Sequence, residues 1–512
     1  MKRESGLPLL LMVALGIVLC QPSPSESRTL DADIVVIGAG TAGLPAALEA
    51  AEGGARVIVF EKSNKTGGTG NMGMGPFAVE TRLQREKQVG ITKEEAFDIF
   101  MNYTHWRVNA RLVKAYIDKS ADTVHWLEAM GVEFIEPKAY FPQSKPTWHI
   151  VKNPEQKGYA GGGAMSTALK IVADKCKEKG VQFLFETPAK KLIKQGNRIT
   201  GAIGEDKAGE KVQVNAKAVI IATGGFGNNT DMIRDYTPYE WGVDVFSMKL
   251  PGLDGDGIQM AWEAGAFKDI DSMNIELTFG GLTRGGSPAV RQPRAIMVNL
   301  HGKRFYNEEL MGNTTFTGNA IAAQKKRTGF LIIDSDIAEY YEKNGADTVG
   351  SVGEPVWNMG QVDSDMKKAI ERGNKGFFIA DSLEDLAKQT GMNLAGLTET
   401  VGQYNSFCEK GKDDLFNKSN KYLMPIKTPK YYAMTVVPSG YGTLGGIRIN
   451  EKTEVLNSED EPIPGLYAAG VDANSIYADS YVFILPGNTM GFALNTGRIA
   501  GENALNYIGK GK

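Results

Sequence analysis

Apolar residues along the chain form short blocks, and several of these blocks run directly into glycine. Residues 34–37 are all apolar and precede a glycine cluster, and the Ala-rich segment that follows predicts a helix. A second apolar block ends just before Glu61, and further blocks lie within 216–229 and 463–472. Short apolar runs bounded by turn residues are consistent with buried strands, and strands that alternate with helices indicate an α/β fold.

Helical patterns follow in three other parts of the chain. Residues 121–132 place apolar side chains at helical spacing, and residues 251–266 predict a helix that opens among glycines. Residues 486–505 predict a long helix that begins near Gly487.

The first glycine cluster has the spacing of a dinucleotide-binding turn. It lies between a predicted strand and a predicted helix, and an acidic residue follows about 20 positions later, at the end of the next strand. Glycines at these positions allow a tight turn and a close approach of the backbone to a pyrophosphate, while the acidic residue can accept hydrogen bonds from a ribose. The expected contacts are Gly38, Gly40, Thr41, Ala42, Gly43 and Glu61.

Several further segments carry signals of nucleotide contact. A second glycine-rich loop at 65–75 suits a flavin nucleotide with a long ribityl chain, although a nicotinamide cofactor is also consistent with the glycine cluster alone. Signals this widely separated imply one large cofactor. The remaining expected contacts are Lys62, Gly67, Gly68, Thr69, Pro188 with Ala189, Ala222, Thr223, Gly224, Asp256, Gly470, Asp472, Gly487, Asn488 and Thr489.

Charge and composition exclude several classes of partner and cofactor. The net charge is −3 and the basic residues are spread along the chain, so no basic stripe indicates nucleic acid. The three cysteines, Cys20, Cys176 and Cys408, form no cluster or CxxCH motif, which excludes an iron–sulfur cluster or an attached c-type haem in this chain. The four histidines show no metal-ligand spacing, so we expect no metal site.

Residues 1–27 have the pattern of a secretory signal peptide. A basic start precedes an apolar stretch and a Pro/Ser-rich segment, and small residues before position 28 favour cleavage after Ser27. The apolar stretch is shorter than the roughly 20 residues of a membrane span. We therefore expect an exported, periplasmic or extracytoplasmic protein with no stable membrane span. Lipid attachment at Cys20 is a weaker alternative, because Leu19 is bulkier than the small residue expected there.

The order of these motifs resembles the flavoprotein family of fumarate reductases and succinate dehydrogenases. The resemblance runs from about residue 31 to the C-terminus and includes the segments 298–308, 397–407 and 465–470. It implies a Rossmann-type FAD-binding domain interrupted by an α+β clamp domain that closes over the substrate. FAD is expected to be noncovalent, because no histidine occurs in the 65–75 loop where relatives attach it. The implied domains are 29–270 and 442–512 for FAD and 271–441 for the clamp.

The residues with which these reductases grip a dicarboxylate are largely missing. Segment 305–324, where the resemblance places a proton-donating Arg, contains no Arg, Lys or His. Glu276 and Gly442 stand where the family has histidines, and only Arg291 lies near an expected family Arg. A dianionic substrate needs guanidinium partners. The sequence therefore predicts an inherited fold with a different substrate.

Tyrosines are the remaining candidates for proton transfer. Tyr441 lies next to the position of a family histidine, and Tyr481 precedes the helix expected to point at the flavin; a phenol can donate a proton to a developing carbanion. This part of the chain also resembles ketosteroid dehydrogenases, since Gly487 matches their helix-start glycine, although Phe483 stands in place of their tyrosine. Arg291 and Glu276 complete the candidate catalytic set.

Residues 141–150, rich in proline and polar side chains, predict a loop that could wall the flavin. His149 in this loop is a further candidate site residue.

These features predict an FAD-dependent oxidoreductase that reduces or desaturates a C=C bond conjugated to a carbonyl, on an unsaturated acid or enone other than fumarate. A ketosteroid-type dehydrogenase, a true fumarate reductase and a noncatalytic electron-transfer subunit are the alternatives. Because this chain has no haem or cluster motif, we expect a separate redox partner, such as a cytochrome c or an FMN protein.

Overall fold

The computed structural model describes residues 28–153, 163–246, 252–281, 286–347, 359–509 and 511. The predicted signal peptide and Cys20 lie outside these residues.

The strands of the described chain are numbered in sequence order. They are β1 Arg28–Asp31, β2 Ile34–Ile37, β3 Val57–Phe60, β4 Phe134–Lys138, β5 Trp148–Val151, β6 Gln182–Leu184, β7 Ala189–Gln195, β8 Arg198–Glu205, β9 Lys211–Asn215, β10 Ala218–Ile221, β11 Lys268–Gly281, β12 Ile296–Asn299, β13 Gly329–Asp334, β14 Phe377–Ala380, β15 Tyr431–Ile447, β16 Glu454–Leu456 and β17 Pro462–Ala468.

The α-helices are numbered in the same way. They are α1 Gly43–Glu52, α2 Arg82–Glu86, α3 Lys93–Tyr103, α4 Ala110–Ala129, α5 Met165–Glu178, α6 Thr230–Tyr236, α7 Asp256–Ala264, α8 Thr314–Ala322, α9 Ser335–Asn344, α10 Val362–Glu371, α11 Leu383–Thr390, α12 Leu394–Lys410 and α13 Asn488–Tyr507.

A six-stranded sheet forms the centre of the first domain, with strand order β16-β17-β10-β2-β3-β6. Strands β17, β10, β2, β3 and β6 are parallel, and only β16 at the edge is antiparallel to its neighbour. Every residue of β2, β3 and β10 is buried, which explains their continuous apolar sequences. A second sheet, β1-β9-β8-β7, packs beside it. The α/β Rossmann-type prediction is confirmed.

Helices α1 and α13 cross at close range beneath the glycine turn. A side chain at Gly497 would place its Cβ 2.2 Å from the Ala42 carbonyl oxygen, and one at Gly501 would come 2.7 Å from the Ala46 oxygen. These two glycines therefore permit the contact that brings the start of α13 alongside the start of α1.

The segment between the two parts of the first domain forms a five-stranded sheet, which α8 to α12 cover. Four of its strands have the order β11-β15-β13-β12, and β14 also pairs with β15. Its core holds a buried ion cluster in which Arg304 bonds to Glu308 at 2.8 Å and to Asp413 at 3.0 Å, and Lys418 lies 3.3 Å from Glu308. An isolated buried charge costs free energy of folding, so removal of any one of these side chains would leave the others without a compensating charge.

Strands β11 and β15 form a long ribbon that joins this segment to the first domain. They pair antiparallel from Lys268 and Ile447 at one end to Gly281 and Val436 at the other. Both boundaries predicted for the clamp, 270/271 and 441/442, fall inside the ribbon. Tyr441 and Glu276 lie on its two strands.

Local predictions agree with the structure at the starts of α7 and α13 but differ at α4 and in one loop. Helix α13 begins after Gly487 and α7 begins at Asp256, as expected, whereas α4 starts earlier than the predicted helical segment. The predicted loop 141–150 is wrong at its end, because residues 148–151 form β5 and pair with β4. Within the described residues, no helix combines the length and apolar character needed to cross a bilayer.

Candidate active site

The loops of the site follow the carboxyl ends of parallel strands. Main-chain hydrogen bonds join these ends: Gly38 N–H donates to Phe60 O at 2.7 Å, and Ala222 N–H donates to Ile37 O at 2.8 Å. Ala469 N–H donates in turn to Ile221 O at 2.9 Å. Because the strands run in one direction, their connecting loops gather at a single edge of the sheet, where ligands bind in such folds.

The glycine turn after β2 leaves room for a ligand at one position only. A Cβ on Gly38, whose φ is +102°, would lie 2.3 Å from Ala222 O, and one on Gly43 would lie 1.8 Å from Gly38 O. At Gly40, by contrast, a Cβ would meet no protein atom within 4 Å, although Gly40 lines a large cavity. This arrangement fits a phosphate group held close to the backbone at the start of α1.

Glu61 ties the next loop to the glycine turn. Its carboxylate accepts hydrogen bonds from Ala39 N–H at 2.7 Å and from Ser63 N–H at 2.7 Å. Lys62, beside it, pairs with Asp254 at 2.8 Å and Asp256 at 3.0 Å. Burial opposes ionisation of Lys62, but these carboxylates outweigh it and raise its pKa.

Asp472 and Asn488 shape the cavity from behind its wall. Fully buried Asp472 accepts hydrogen bonds from Gly224 N–H at 3.0 Å, Gly225 N–H at 2.9 Å and the Thr223 hydroxyl, while burial raises its pKa. Asn488 accepts the Tyr116 hydroxyl at 2.6 Å and donates to the Leu485 carbonyl. Both side chains hold the loops that contact the cavity.

One cavity of about 730 Å³ collects most of the residues predicted to contact the cofactor. Its volume is within the range of about 300–1,000 Å³ found for ligand sites. The predicted residues on its surface are Gly38, Gly40, Thr41, Ala42, Glu61, Lys62, Gly68, Thr69, Pro188, Ala189, Ala222, Thr223, Gly224, Asp256, Gly470, Gly487 and Thr489. The predicted residues outside it are Gly43, Gly67, Asp472 and Asn488.

Aromatic side chains wall the end of the cavity near α13. Tyr140 lies 4.6 Å from Phe483 and 5.6 Å from Trp148, measured between ring centroids, and all three line the cavity. Trp148 Nε1 donates to Gly75 O at 2.7 Å, which fixes the indole. The wall predicted from the sequence at 141–150 includes Trp148 but neither Tyr140 nor Phe483.

Glu276 lies at the same end of the cavity and is 4% exposed. Its two oxygens share one hydroxyl donor, Thr489 Oγ1, at 3.2 and 3.3 Å. Burial raises the pKa of the Glu276 carboxyl to about 7, and the Thr489 hydrogen bond opposes this shift. A Cβ at Gly442 would lie 3.3 Å from Glu276 Oε2, so the glycine leaves the carboxyl uncovered.

The two candidate tyrosines are also on the cavity surface. Tyr481, 4% exposed, accepts a hydrogen bond from Thr489 N–H at 3.0 Å, which leaves its own hydroxyl proton free to donate. Burial and the neighbouring Glu276 raise the pKa of Tyr481. Tyr441 is 38% exposed and lines the same cavity as this buried pair, Tyr481 and Glu276.

Arg291 and His149 lie outside the cavity surface. The Arg291 side chain reaches solvent, with its guanidinium 4.8 Å from the Phe279 ring; surrounding protein lowers its pKa, while nearby Tyr441 opposes that shift. His149 is completely buried, and its Nε2 contacts Thr81 Oγ1 at 2.8 Å. Burial lowers the pKa of His149 to about 4. The alternation of β5 turns Trp148 to the cavity and His149 away from it, so the suggestion of a site role for His149 is wrong.

Among the residues that the structure describes, no group of three His, Cys, Asp or Glu side chains is arranged to hold a metal ion.

A family model described as an FAD binding domain matches residues 33–488. The chain belongs to this family of FAD-dependent oxidoreductases. It is 32% identical to a vinyl phenol reductase of Lactiplantibacillus plantarum over 93% of this chain and 96% of the relative. It is 30% identical to a fumarate reductase (cytochrome) of Shewanella frigidimarina over 93% of this chain and 78% of that one.

Among solved structures, a 3-ketosteroid-Δ4-(5α)-dehydrogenase from Rhodococcus jostii in complex with 4-androstene-3,17-dione superimposes with a TM-score of 0.73. The two chains are 25% identical, over 93% of this flavoprotein and 99% of the dehydrogenase. The cofactor of this flavoprotein is FAD, and the predicted resemblance to fumarate reductase-like flavoproteins is confirmed.

Proposed function

We propose that this flavoprotein reduces a conjugated C=C bond and that a tyrosine at the aromatic end of the cavity supplies the proton. The observation that carries the proposal is the composition of that end. Tyr441, Tyr481 and Glu276 share a cavity surface with the aromatic wall and with the start of α13. FAD, when bound, supplies the hydride for such a reduction.

The protein's own residues divide the work between binding the cofactor and handling the substrate. Gly40 leaves the space in which the pyrophosphate would lie, and Gly38 and Gly43 allow the turn around it. The N-terminus of α13 at Gly487 favours negative charge on a ligand placed against it. Tyr481 keeps a donatable proton because its oxygen accepts from Thr489 N–H. The aromatic wall covers a flat substrate and excludes water.

The absence of clustered cations argues against a dicarboxylate substrate. No arginine, lysine or histidine among the described residues lines the aromatic end of the cavity, and Lys62 and Lys65 are on its nucleotide side. A dianion would meet the Glu276 carboxylate there, and the guanidinium of Arg291, which is near Tyr441, lies outside the cavity surface. This supports an uncharged or monoanionic conjugated alkene, and the 32% identical vinyl phenol reductase is named for a substrate of that kind.

The test is a substrate screen of the FAD-loaded protein with reduced viologen as the electron donor. The alkenes are fumarate, aryl acrylates, cyclic enones and 4-vinylphenol. We expect turnover of at least one aromatic or carbonyl-conjugated alkene and slow turnover of fumarate. Rapid fumarate reduction would contradict the proposed substrate class. Redox cycling of the flavin without turnover of any alkene would favour an electron-transfer subunit.

The same proposal includes export and a separate electron donor. The pattern of residues 1–27 supports removal of a signal peptide, and the lack of clustered cysteines supports delivery of electrons by another redox protein. Cell fractionation, with mass measurement of the mature chain, checks the first point: a periplasmic protein that begins at Arg28 is the expected result.

A further inference from the structure

The carboxyl group of Glu276 is unusually placed for a buried acid in a substrate cavity. It is 4% exposed and accepts one long, shared hydrogen bond from Thr489 Oγ1. Among the described residues, no lysine, arginine or histidine lies within 4 Å of its oxygens. Two oxygens with about four acceptor positions therefore retain most of their capacity for a ligand.

The groups that surround Glu276 are aromatic or small. Tyr477 and Tyr481 are close enough to sense its charge, and both are phenols whose pKa is raised by burial. Gly442 leaves one face open, and the aromatic wall of Tyr140, Trp148 and Phe483 lines the same space. A carboxylate acceptor beside an aromatic wall suits a ligand with a flat ring and a hydroxyl group that can donate a hydrogen bond to Glu276.

We propose that the substrate is an alkenyl phenol and that Glu276 accepts the proton of its hydroxyl group. This inference rests on the proposed C=C reductase function and specifies its substrate class. The phenol O–H bond breaks and its proton moves to the Glu276 carboxylate. A carboxylate substrate would instead place two acceptors opposite each other.

The proton transfer explains how an otherwise unactivated alkene is reduced. As the phenol loses its proton, an oxygen electron pair moves through the ring, and the terminal alkene carbon takes a proton from a cavity tyrosine. The product of this step is a quinone methide, in which the benzylic carbon is electron-poor. That carbon can then accept the hydride that FAD, when bound and reduced, would supply. The electron pair then returns to oxygen, which recovers its proton from Glu276, and water restores the tyrosine.

The basicity of Glu276 suits this role. A carboxyl with the ordinary pKa of 4.5 is a poor base toward a phenol whose pKa is about 10. Burial raises the pKa of Glu276 to about 7, which reduces the difference between its pKa and that of the phenol. The carboxyl is then still partly ionised at neutral pH.

The first experiment compares two alkenes with the wild-type, FAD-loaded protein. 4-Vinylphenol has the ionisable hydroxyl, and 4-methoxystyrene has the same shape without the proton. We expect 4-methoxystyrene to be reduced at least about 100-fold more slowly, the lower end of the contribution of general acid–base catalysis. Similar rates for the two alkenes would overturn the proposal.

The second experiment measures ionisation of a bound phenol without turnover. 4-Hydroxybenzaldehyde is titrated into the oxidised, FAD-loaded protein, and the near-ultraviolet difference band of its phenolate is recorded. We expect the band with wild type and with Glu276→Asp, and its loss with Glu276→Gln, which cannot take the proton. Glu263→Gln, an exposed acid on α7, is the matched control and should retain the band. An unchanged band in Glu276→Gln would overturn the proposal.

The outcomes separate this inference from the function on which it rests. Reduction of aryl acrylates or enones without reduction of 4-vinylphenol leaves the C=C reductase standing and rejects the phenol. Failure with every alkene rejects both. If Glu276→Gln does not retain FAD, the comparison of the two alkenes with wild type decides alone.

Discussion

Replacing Glu276 by glutamine should change the pH dependence of stability in a direction fixed by its burial. Burial raises the pKa of this carboxyl from 4.5 to about 7 in the folded protein, whereas the unfolded chain restores the ordinary value. A folded pKa above the unfolded one means that the native state holds the proton more tightly. Stability from this group is therefore full below about pH 4.5 and is lost as the pH rises through 7.

The size of the effect follows from the two pKa values. They differ by about 2.5 units, and one unit corresponds to about 1.4 kcal/mol, so wild type should lose about 3 kcal/mol of unfolding free energy across this window. Glutamine has nearly the same shape and never ionises. Glu276→Gln should match wild type within about 1 kcal/mol at pH 4.5 and be more stable by about 3 kcal/mol at pH 8.

Urea unfolding of the FAD-loaded proteins, followed by circular dichroism at half-unit steps from pH 4.5 to 8.5, measures the difference. Subtracting the two curves removes titration of groups common to both proteins, and the neighbouring phenols of Tyr477 and Tyr481 remain neutral because burial raises their pKa. Exposed Glu263→Gln should give a flat difference. A flat difference for Glu276→Gln as well would show that this carboxyl ionises normally, and the argument from burial would fail.

Four further substitutions test other parts of the molecule. Tyr441→Phe and Tyr481→Phe remove one oxygen each; the change that removes the proton donor should slow alkene reduction by about 100-fold to 10,000-fold while viologen still reduces the flavin, and less than tenfold slowing in both would exclude a tyrosine donor. Gly40→Val should abolish FAD retention, measured by flavin absorbance, because its side chain enters space left for the cofactor, whereas Gly402→Val, also free of close neighbours, should retain FAD. Lys418→Met should lower the unfolding free energy by about 3–5 kcal/mol in urea, since it leaves buried acids without a cation; a loss below about 1 kcal/mol would contradict that view of the clamp core.

The cofactor half of the site was predictable because its signals are local. Gly38, Gly40 and Gly43 work through the backbone of one turn, and the start of α13 after Gly487 follows from the same rules of chain geometry. Such features depend on neighbours in sequence, so a motif read along the chain captures them. The role of Asp472 was not predictable in this way, because its partners at 223–225 are in the loop after β10, far away in sequence.

The substrate half depends on contacts between distant segments. Tyr140 meets Phe483 only after the chain has folded, and nothing local to either residue announces the contact. For His149, the composition of the segment did not show which way the side chain points. The adjacent residues Trp148 and His149 of β5 have their side chains on opposite faces, one on the cavity and the other in the core. Because a loop was predicted there, the alternation of side chains along a strand, which decides whether His149 faces the cavity, was not considered.

Thr489 bonds to both Tyr481 and Glu276, so substitutions of these two residues should not have independent effects. Its N–H donates to the Tyr481 hydroxyl at 3.0 Å, and its own hydroxyl donates to Glu276 at 3.2 Å. Both bonds come from the first turn of α13, whose start also lines the cavity. Residues that share a partner do not contribute independently. Loss of the Tyr481 oxygen leaves the Thr489 N–H without its acceptor, and loss of the Glu276 charge weakens the hydrogen bond from the Thr489 hydroxyl. Each substitution therefore changes the hydrogen bonding of Thr489, and through it the environment of the other residue.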